Sequence, residues 1–401
     1  MRILHTSDWH LGRSFHREGM LAHQATYLDH LLAVVASERV DLVVVSGDVY
    51  DRALPPVDAV LLADDALVRL AASRAAVVLT SGNHDSARRL GFSSRLIDAA
   101  GVHIRTDASG VGTPVLLGDE HGQVAVYGLP YLDPSALVEP WSLPGRSHEA
   151  ALSVAMGRVR ADLAVRPGVR SVVMAHAFVA GARPSDSERD ISVGGVSMVP
   201  TALFDGVDYT ALGHLHGRHT LTDRVRYSGS PLAYSFSEAD HLKGSWLVEL
   251  GAGGSVDAHF LDAPVPRPVA RLSGDLETLL VDPALRRHEH SFLEVTLTDA
   301  ARPSRAMDRL RRRFPHTLVL RFAATSPRLG SLPASQTHAR TDHDIALDFM
   351  ADMRGGPPDE AETTLLRSAI DACCDDTDVD SLLSHGDGPG EGADQQAGES
   401  D

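Results

Sequence analysis

Short runs of β-branched residues recur along the first 250 residues of the chain, and helical stretches separate several of them. Strands are predicted at residues 2–6, 41–46, 76–81, 102–104, 124–128, 171–175, 209–212, 225–228 and 245–250, and helices at residues 20–37, 57–72 and 149–164. Alternation of strands and helices is typical of α/β folds. Because the predicted strands outnumber the helices, the pattern favours two packed β-sheets over one doubly wound sheet.

The segments after residue 250 are less regular. Residues 251–268 are rich in Gly, Pro and Ala, which is typical of a linker. A strand, a basic helix and a second strand are predicted at residues 291–297, 304–313 and 316–322, a polar connector at 327–342, and two short helices at 345–353 and 360–373. We therefore expect domains at residues 1–255 and 268–326, a helical segment at 343–374 and a disordered acidic tail at 375–401.

The acidic charge of the chain is unevenly distributed. Its 401 residues, enough for two or three domains, carry a net charge of −17. Residues 351–401 contain 14 acidic residues and two arginines, so the preceding part is close to neutral. The overall charge therefore argues only weakly against a DNA substrate, because a near-neutral body can carry a local basic face. Lys243 is the only lysine among 37 basic residues, a bias that we attribute to genome composition.

Three features of the sequence bear on its compartment. Cys373 and Cys374 are adjacent and cannot link distant segments, which indicates a reducing environment. The N-terminus lacks the basic start and long apolar stretch of a signal peptide. Apolar runs are of strand length and fall short of the roughly 18 residues expected for a membrane span. We expect a cytoplasmic protein without a membrane segment.

Five predicted strands are followed directly by side chains that can bind metals. The segments are Asp8-Trp9-His10, Gly47-Asp48-Val49-Tyr50-Asp51, Gly82-Asn83-His84-Asp85, His176 and Gly213-His214-Leu215-His216. Carboxylate oxygen and imidazole nitrogen without thiolate favour Mn²⁺, Fe²⁺ or Zn²⁺. Together the five segments supply enough ligands for two metals.

Two neighbouring cations require a particular arrangement of these residues. Divalent ions about 4 Å apart need a bridging anion to offset their repulsion, and Asp48 is the natural bridge. Glycine before Asp48, Asn83 and His214 lets the chain turn off each strand without a Cβ in the way. A water shared by the two metals would become a nucleophile near neutral pH, which is the chemistry of phosphate ester hydrolysis.

Each segment taken alone also has a purely structural interpretation. Asp-X-His is often a surface or capping pair, Gly-Asp after a strand is often a turn, and Asn-His-Asp fits an Asx-turn with a helix cap. A single histidine such as His176 is usually a core or surface residue. The conjunction of all five segments in this order, each after a predicted strand, favours the metal site.

As a set, these segments resemble the calcineurin-like metallophosphoesterases, whose fold is a four-layer sandwich of two mixed β-sheets flanked by helices. Residues 5–12, 47–51, 81–85 and 227–232 are similar, more narrowly, to the SbcD family, the nuclease subunits of bacterial SbcCD complexes. The resemblance covers residues 1 to about 325 and is strongest up to about 250. It implies a manganese-dependent double-strand exonuclease and hairpin endonuclease coupled to the SMC-like ATPase SbcC, with a small α+β capping domain.

The resemblance also implies a role for each site residue. One metal would be held by Asp8, His10, Asp48 and His216, and the other by Asp48, Asn83, His176 and His214. His84 would face the substrate and assist the leaving oxygen; the alternative for His84 is a structural contact with Asp85. Asp51 is expected to act through a ligand rather than as one.

The sequence indicates contacts with DNA and with other subunits less directly than it indicates the metal site. Arg13, His16 and Arg17 follow the first ligand pair and are candidate DNA-binding residues, as are the arginines of residues 309–313, although such runs are commonly just solvated. The resemblance implies that the helices of residues 343–374 dock on the coiled coil of SbcC; the alternative is packing on the chain's own catalytic domain. It further implies a homodimer within a heterotetramer.

Three hypotheses of function remain open at this point. The preferred one is a two-metal DNA nuclease subunit acting in DNA repair, recombination and replication. The alternative is a phosphatase or phosphodiesterase of a small nucleotide, because the metal centre alone does not define the leaving group. A non-catalytic scaffold of the same fold is disfavoured, because every expected ligand and His84 are present.

Overall fold

The computed structural model describes residues 1–188, 198–323, 341–354 and 356–375. The chain divides into two compact units, Met1–Thr325 and Ser326–Asp401. Most of the predicted connector at 327–342, and the predicted acidic tail after residue 375, lie outside the described residues. None of the described helices is long and apolar enough to cross a membrane.

All of the described strands belong to the first unit, and the described part of the second unit is helical. The strands are β1 (Arg2–Thr6), β2 (Ser14–Phe15), β3 (Glu18–Gly19), β4 (Leu42–Ser46), β5 (Ala76–Thr80), β6 (Val102–Arg105), β7 (Val115–Asp119), β8 (Gly122–Gly128), β9 (Arg170–His176), β10 (Tyr209–Gly213), β11 (His219–Thr220), β12 (Val225–Tyr227), β13 (Gly244–Leu250), β14 (Val256–Asp262), β15 (Val269–Gly274), β16 (Phe292–Leu297) and β17 (Thr317–Phe322). The helices are α1 (Leu21–Ser37), α2 (Val57–Ala71), α3 (Ala87–Leu90), α4 (Ser94–Ile97), α5 (Pro134–Leu137), α6 (His148–Ala164), α7 (Leu276–Val281), α8 (Ala306–Arg313), α9 (Asp342–Arg354) and α10 (Glu360–Asp375).

The first six-stranded sheet has the order β14-β13-β1-β4-β5-β6. Strands β1, β4, β5 and β6 are parallel, whereas β13 runs antiparallel to both β1 and β14. All five residues of β4 are buried, as expected for a central strand covered on both faces. Leu28 and Leu31 of α1 and Ala63 of α2 pack against the outer face of this sheet.

The second six-stranded sheet has the order β11-β12-β10-β9-β8-β7. Helix α6 covers its outer face with buried residues that include Ala155 and Met156. The inner faces of the two sheets share one apolar core, in which Val44 and Val78 of the first sheet lie with Val172 of the second. The result is the predicted sandwich of two mixed sheets between helices, so the expected fold class is confirmed.

The segment predicted as a linker is largely a strand. Residues 256–262 form β14, which pairs with β13 along its whole length and extends the first sheet past residue 255. The linker prediction is therefore wrong over these residues. Strand β14 lies at an edge and alternates between half-buried and exposed side chains, so it lacks the apolar run that marks the central strands. The edge strand β7 was not predicted either.

A small parallel sheet of order β15-β16-β17 follows the sandwich. The predicted strand-helix-strand unit is present as β16, α8 and β17, and the structure adds β15 on the other side of β16. Leu293 and Val295 of β16 pack with Leu310 and Phe314 in a core of their own. A separate capping domain at residues 268–326 remains a prediction, although this core is its expected physical basis.

The described part of the second unit consists of α9 and α10, which contact each other. Both helices are slightly longer than predicted, and an ion pair joins Arg354 to Glu362. Ile345, Phe349 and Leu365 are 43%, 63% and 73% exposed. The helical pair therefore leaves apolar side chains uncovered.

Candidate metal centre

The predicted ligands lie at the carboxyl ends of five neighbouring strands. Asp8, Asp48 and Asn83 follow β1, β4 and β5, which are adjacent and parallel in the first sheet. His176 ends β9 and His214 follows β10, which are adjacent and parallel in the second sheet. Carboxyl ends of parallel strands meet at one edge, and here the edges of both sheets converge.

One group of side chains gathers between the β1 and β10 loops. The Nε2 atoms of His10 and His216 are 3.0 Å apart, and His10 Nε2 is 3.6 Å from Asp48 Oδ2. Potential ligand atoms of Asp8, His10 and His216 all lie within 4.8 Å of one another. All four side chains are buried. This group is the one that the resemblance implies for the first metal.

A second group gathers on the other side of Asp48. His176 Nε2 lies 2.9 Å from Asn83 Oδ1 and 3.4 Å from Asp48 Oδ2. His214 Nδ1 is 3.2 Å from the same Asn83 oxygen. The structure thus brings together the residues that the resemblance implies for the second metal, and Asp48 Oδ2 lies near histidines of both groups.

Several of these residues have unusual backbone conformations. Asp8, His10, Asp48 and His214 have φ values of 54°, 47°, 51° and 104°, which non-glycine residues seldom adopt. Such conformations cost about 1–3 kcal/mol each and persist where the surrounding structure imposes them, often at functional sites. Among the described residues, four of the ten non-glycine residues with positive φ are proposed ligands.

The glycines that precede the ligands are required by close packing. A Cβ on Gly82 would lie 2.1 Å from Asp48 Oδ1, and a Cβ on Gly213 would lie 1.9 Å from the carbonyl oxygen of Ser46. Gly47 has a φ of +85°, and a Cβ there would lie 2.4 Å from His176 Nδ1. The prediction that these positions exclude a side chain is therefore confirmed.

Burial and neighbouring charges shift the pKa of several side chains in the cluster. Burial raises the pKa of Asp8 to about 6. Burial also disfavours charge on Asp48, but the charge and hydrogen bond of His176 hold the pKa of that carboxyl well below its usual range. Burial holds the pKa of His10 and His214 well below the usual value. These two imidazoles are therefore neutral, which is the form that coordinates metals.

The donor set fits two divalent cations. The buried groups offer hard carboxylate and amide oxygen with imidazole nitrogen, a combination suited to Mn²⁺, Fe²⁺ or Zn²⁺. The Nε2 atoms of His10 and His216 are 3.0 Å apart, so two lone pairs facing each other there would repel. A shared proton or a cation between the two atoms removes this repulsion. His and Asp clusters of this kind fit a dimetal site.

His84 lies beside the cluster and is oriented by the backbone. Its Nδ1 donates to the carbonyl oxygen of Asp51 over 2.7 Å, because a carbonyl can only accept. Its Nε2 then lies 4.0 Å from Asp48 Oδ2, and its ring is edge-on to that of His10 at 4.6 Å. The Asp85 carboxylate accepts hydrogen bonds from the backbone of Val49, Tyr50 and Gly82 and so ties two ligand loops together.

The three candidate DNA-binding residues occupy different positions. The Arg13 guanidinium lies 3.7 Å from Asp51 Oδ1, donates to the carbonyl oxygen of Ser187 and covers the ring of Tyr234. His16 and Arg17 are exposed at the tip of the β2–β3 hairpin, with φ values of 48° and 74°. The structure therefore places Arg13 next to the cluster and the other two outside it.

The arginines of α8 are mostly engaged within the small sheet region. Arg309 pairs with Glu277, Arg313 pairs with Glu289, and Arg311 donates to the carbonyl oxygen of Thr317. These contacts favour the structural interpretation over a free basic surface.

Sequence analysis did not identify several residues that are not proposed ligands but form hydrogen bonds with the ligand loops. Gln24 of α1 accepts from the Gly12 amide and donates to the carbonyl oxygen of His10. Glu238 and Ser187 contact His216 Nδ1 at 3.2 and 2.7 Å. Lys243, as the only lysine of the chain, was the one signal in the sequence that could have led to this group.

Comparison with known families agrees with this geometry. The sequence model of the calcineurin-like phosphoesterases matches residues 1–218, which is more than half of the chain. The chain belongs to the calcineurin-like phosphoesterase family. A second model, SbcD_C, described as a type 5 capsule protein repressor C-terminal domain, matches residues 265–354. The two matches together confirm the resemblance to SbcD, so the phosphoesterase carries an SbcD-type C-terminal region.

Solved structures with similar folds are distant in sequence. A dimetal phosphatase from Danio rerio is 15% identical, with 66% of this chain and 99% of the other covered and a TM-score of 0.36. A protein from Thermus thermophilus is 13% identical, with coverages of 65% and 98% and a TM-score of 0.37. An archaeal phosphodiesterase is 12% identical, with coverages of 65% and 100% and a TM-score of 0.29.

Proposed function

We propose that this phosphoesterase is the metal-dependent nuclease subunit of an SbcCD-like complex, which hydrolyses phosphodiester bonds at DNA ends during repair and recombination. The observation that carries the proposal is the convergence of two groups of ligands on Asp48, in a chain whose residues 265–354 match the SbcD-type C-terminal region. A small-molecule phosphatase has no need of this region.

Each side chain of the cluster has a role in this proposal. Asp8, His10, Asp48 and His216 would hold one divalent ion, and Asp48, Asn83, His176 and His214 would hold the other, with Mn²⁺ as the expected element. When bound, the ions would lower the pKa of a water and offset negative charge on the phosphoryl oxygens. Asp48 would serve both ion positions, because its carboxylate lies near histidines of both groups.

His84 acts on the substrate. Its Nδ1 is fixed by the Asp51 carbonyl, so Nε2 is the nitrogen presented at the centre. In its protonated form, His84 would stabilise the charged phosphorane or donate a proton to the leaving oxygen of the DNA sugar. Ligand atoms of His84, His10 and Asp48 lie within 4.8 Å of one another, so metal ligation is the alternative role for His84, and the metal content of His84→Ala distinguishes the two.

DNA would approach past the exposed hairpin tip. His16 and Arg17 project there, and Arg13 lies between the tip and Asp51, so a phosphate backbone entering the site passes basic side chains. The small sheet and α8 then form the capping domain. Phe292 of this sheet packs against Phe15 of the hairpin, which places the two elements side by side.

The partners follow from the C-terminal region. Exposed Ile345, Phe349 and Leu365 on α9 and α10 are proposed to dock on the coiled coil of the SMC-like ATPase SbcC. The nuclease would function as a homodimer in a cytoplasmic heterotetramer with that ATPase.

Cleavage assays test the activity. Purified protein with Mn²⁺ should degrade linear duplex DNA, and His84→Ala should abolish cleavage while two ions per chain remain bound. His121→Ala, at an exposed histidine that contacts Glu120, is the matched control and should cleave normally. Hydrolysis confined to nucleotides or small phosphate esters would contradict the nuclease, and loss of metal in His84→Ala would contradict its non-ligand role.

A further inference from the structure

The only lysine of the chain is buried next to His216, a proposed metal ligand. Lys243 is 5% exposed, and its ammonium group donates to the Glu238 carboxylate, to Ser230 Oγ at 2.9 Å and to the carbonyl oxygen of His216 at 3.0 Å. All three donor positions of the ammonium are thus used. A buried cation requires such partners, because desolvation of an unpaired charge is costly.

Glu238 connects this lysine to the imidazole of His216. The Glu238 residue is 1% exposed, and its Oε1 lies 3.2 Å from His216 Nδ1. Ser187 Oγ donates to the same oxygen and lies 2.7 Å from His216 Nδ1. The backbone amide of His216 donates to Glu188 over 2.7 Å. Both the ring and the backbone of this histidine are therefore held by residues that are not proposed ligands.

These contacts determine which nitrogen of His216 faces the centre. A carboxylate can only accept, so the contact with Glu238 favours a proton on Nδ1. The lone pair of the neutral ring then lies on Nε2, which is the atom 3.0 Å from His10 Nε2. Metal-binding histidines commonly donate their other nitrogen to a carboxylate in this way, which fixes the tautomer and the ring orientation.

We propose that Glu238, neutralised by Lys243, is the positioning residue of His216 and controls the affinity of one of the two metal positions. The inference rests on the proposed function, since it assumes that His216 is a ligand. The pair carries no net charge, so it orients the imidazole without adding an anion to the site. Lysine suits the position because a compact ammonium reaches three acceptors that diverge around it, whereas the planar fork of arginine does not.

Removal of the pair tests the proposal. The variant Glu238→Met with Lys243→Met removes both charges at similar side-chain length, so no buried charge is left unpaired. In titration calorimetry with Mn²⁺ on the full chain, we expect one of two binding events to weaken about 10-fold to 100-fold. Glu238→Gln with Lys243→Met restores an acceptor oxygen and should recover much of the lost affinity, a rescue that a purely structural role would not give.

A matched control uses a second buried ion pair. Arg170 begins β9, and its partner Asp119, which also contacts the N-terminal ammonium, ends β7, whereas His176 ends β9 at the metal centre. Asp119→Met with Arg170→Met should lower thermal stability without altering either Mn²⁺ affinity. If Glu238→Met with Lys243→Met fails to fold, Glu238→Asp keeps the charge but withdraws the carboxylate by one methylene, and it should also weaken one binding event.

A spectroscopic measurement separates this inference from the proposed function. In metal-free protein with ¹⁵N-labelled histidine, the ring shifts of His216 should report protonated Nδ1 in the wild type and a mixture of tautomers in Glu238→Met with Lys243→Met. Unchanged ring shifts and unchanged Mn²⁺ affinity in a folded variant would overturn the proposal. A wild-type chain that cleaves no DNA would instead refute the nuclease and leave the positioning role intact.

Discussion

His10 Nε2 and His216 Nε2 lie 3.0 Å apart, although 206 positions separate the two residues in the sequence. One belongs to the loop after β1 in the first sheet and the other to the loop after β10 in the second. Their contact therefore exists only when both sheets are folded and packed. A cation held by both residues would link the two halves of the sandwich.

Metal binding should therefore stabilise the fold. A ligand present at 100 times its dissociation constant stabilises the native state by about 2.7 kcal/mol when it does not bind the unfolded chain. We expect the melting temperature to rise with Mn²⁺ concentration and to fall again when EDTA is added. His10→Ala should reduce the rise, because it removes a ligand from one position. A melting temperature independent of Mn²⁺ would contradict the metal centre.

Gly82→Ala adds only one methyl group, but it should disrupt the metal centre. The added Cβ would lie 2.1 Å from Asp48 Oδ1 and 2.5 Å from the Asp48 amide, so the proposed bridging residue would have to move. We expect loss of at least one bound metal ion, measured by elemental analysis, together with loss of phosphodiesterase activity. Gly145→Ala is the matched control, since its Cβ would meet nothing within 4 Å. Full metal content in Gly82→Ala would refute the argument.

The fold and the converging residues could be predicted because both depend on local signals. Strands such as Leu42–Ser46 are continuous apolar runs, and the ligands follow them directly in sequence. The edge strand Val256–Asp262 was not predicted, because only about half of its side chains face the protein and because Gly and Pro residues flank it. The tip of the β2–β3 hairpin likewise has left-handed His16 and Arg17 instead of the Asn-Gly that usually marks such turns.

The partners of the ligands could not be predicted for a different reason. Glu238 follows a loop after β12, and Ser187 belongs to the loop after β9, so neither is near His216 in the sequence. Their role depends on a tertiary contact that no periodicity encodes. In the sequence, Lys243 indicated only a peculiarity of composition, and its burial is what connects it to the site.

Deletion of residues 343–401 should separate partner binding from catalysis. This segment contains the exposed apolar side chains of α9 and α10, whereas every residue of the proposed metal centre precedes it. We expect the truncated chain to lose association with the ATPase in co-purification and to retain hydrolysis of a simple phosphodiester. Phe349→Asp should give the same loss of association in the full chain. Unchanged association of the truncated chain would contradict docking by these helices.

Gly157→Ala should stabilise the protein. Gly157 lies in the interior of α6 on an exposed position, and an added Cβ would meet nothing within 4 Å. Alanine in a helix interior is favoured over glycine by roughly 0.5–1 kcal/mol, because glycine loses more backbone freedom on folding. The midpoint of urea unfolding should rise accordingly. A decrease would show that the α6 backbone at this position does not tolerate a side chain.

The buried ion pair between Asp119 and Arg170 should make stability depend on pH. Hydrogen bonds from Arg170 hold the pKa of Asp119 well below its usual range, and the two side chains are 9% and 4% exposed. In the unfolded state this carboxyl has a pKa of about 3.9. The folded state therefore binds the proton of Asp119 more weakly than the unfolded state does. The stabilisation is complete above that unfolded pKa and is lost as the pH falls below it towards the folded pKa.

Asp119→Asn should cost about 1.5–3 kcal/mol at pH 7, the range for hydrogen bonds to charged groups. The difference in urea unfolding free energy between wild type and Asp119→Asn should shrink between pH 5 and pH 2, and a constant difference would refute the linkage.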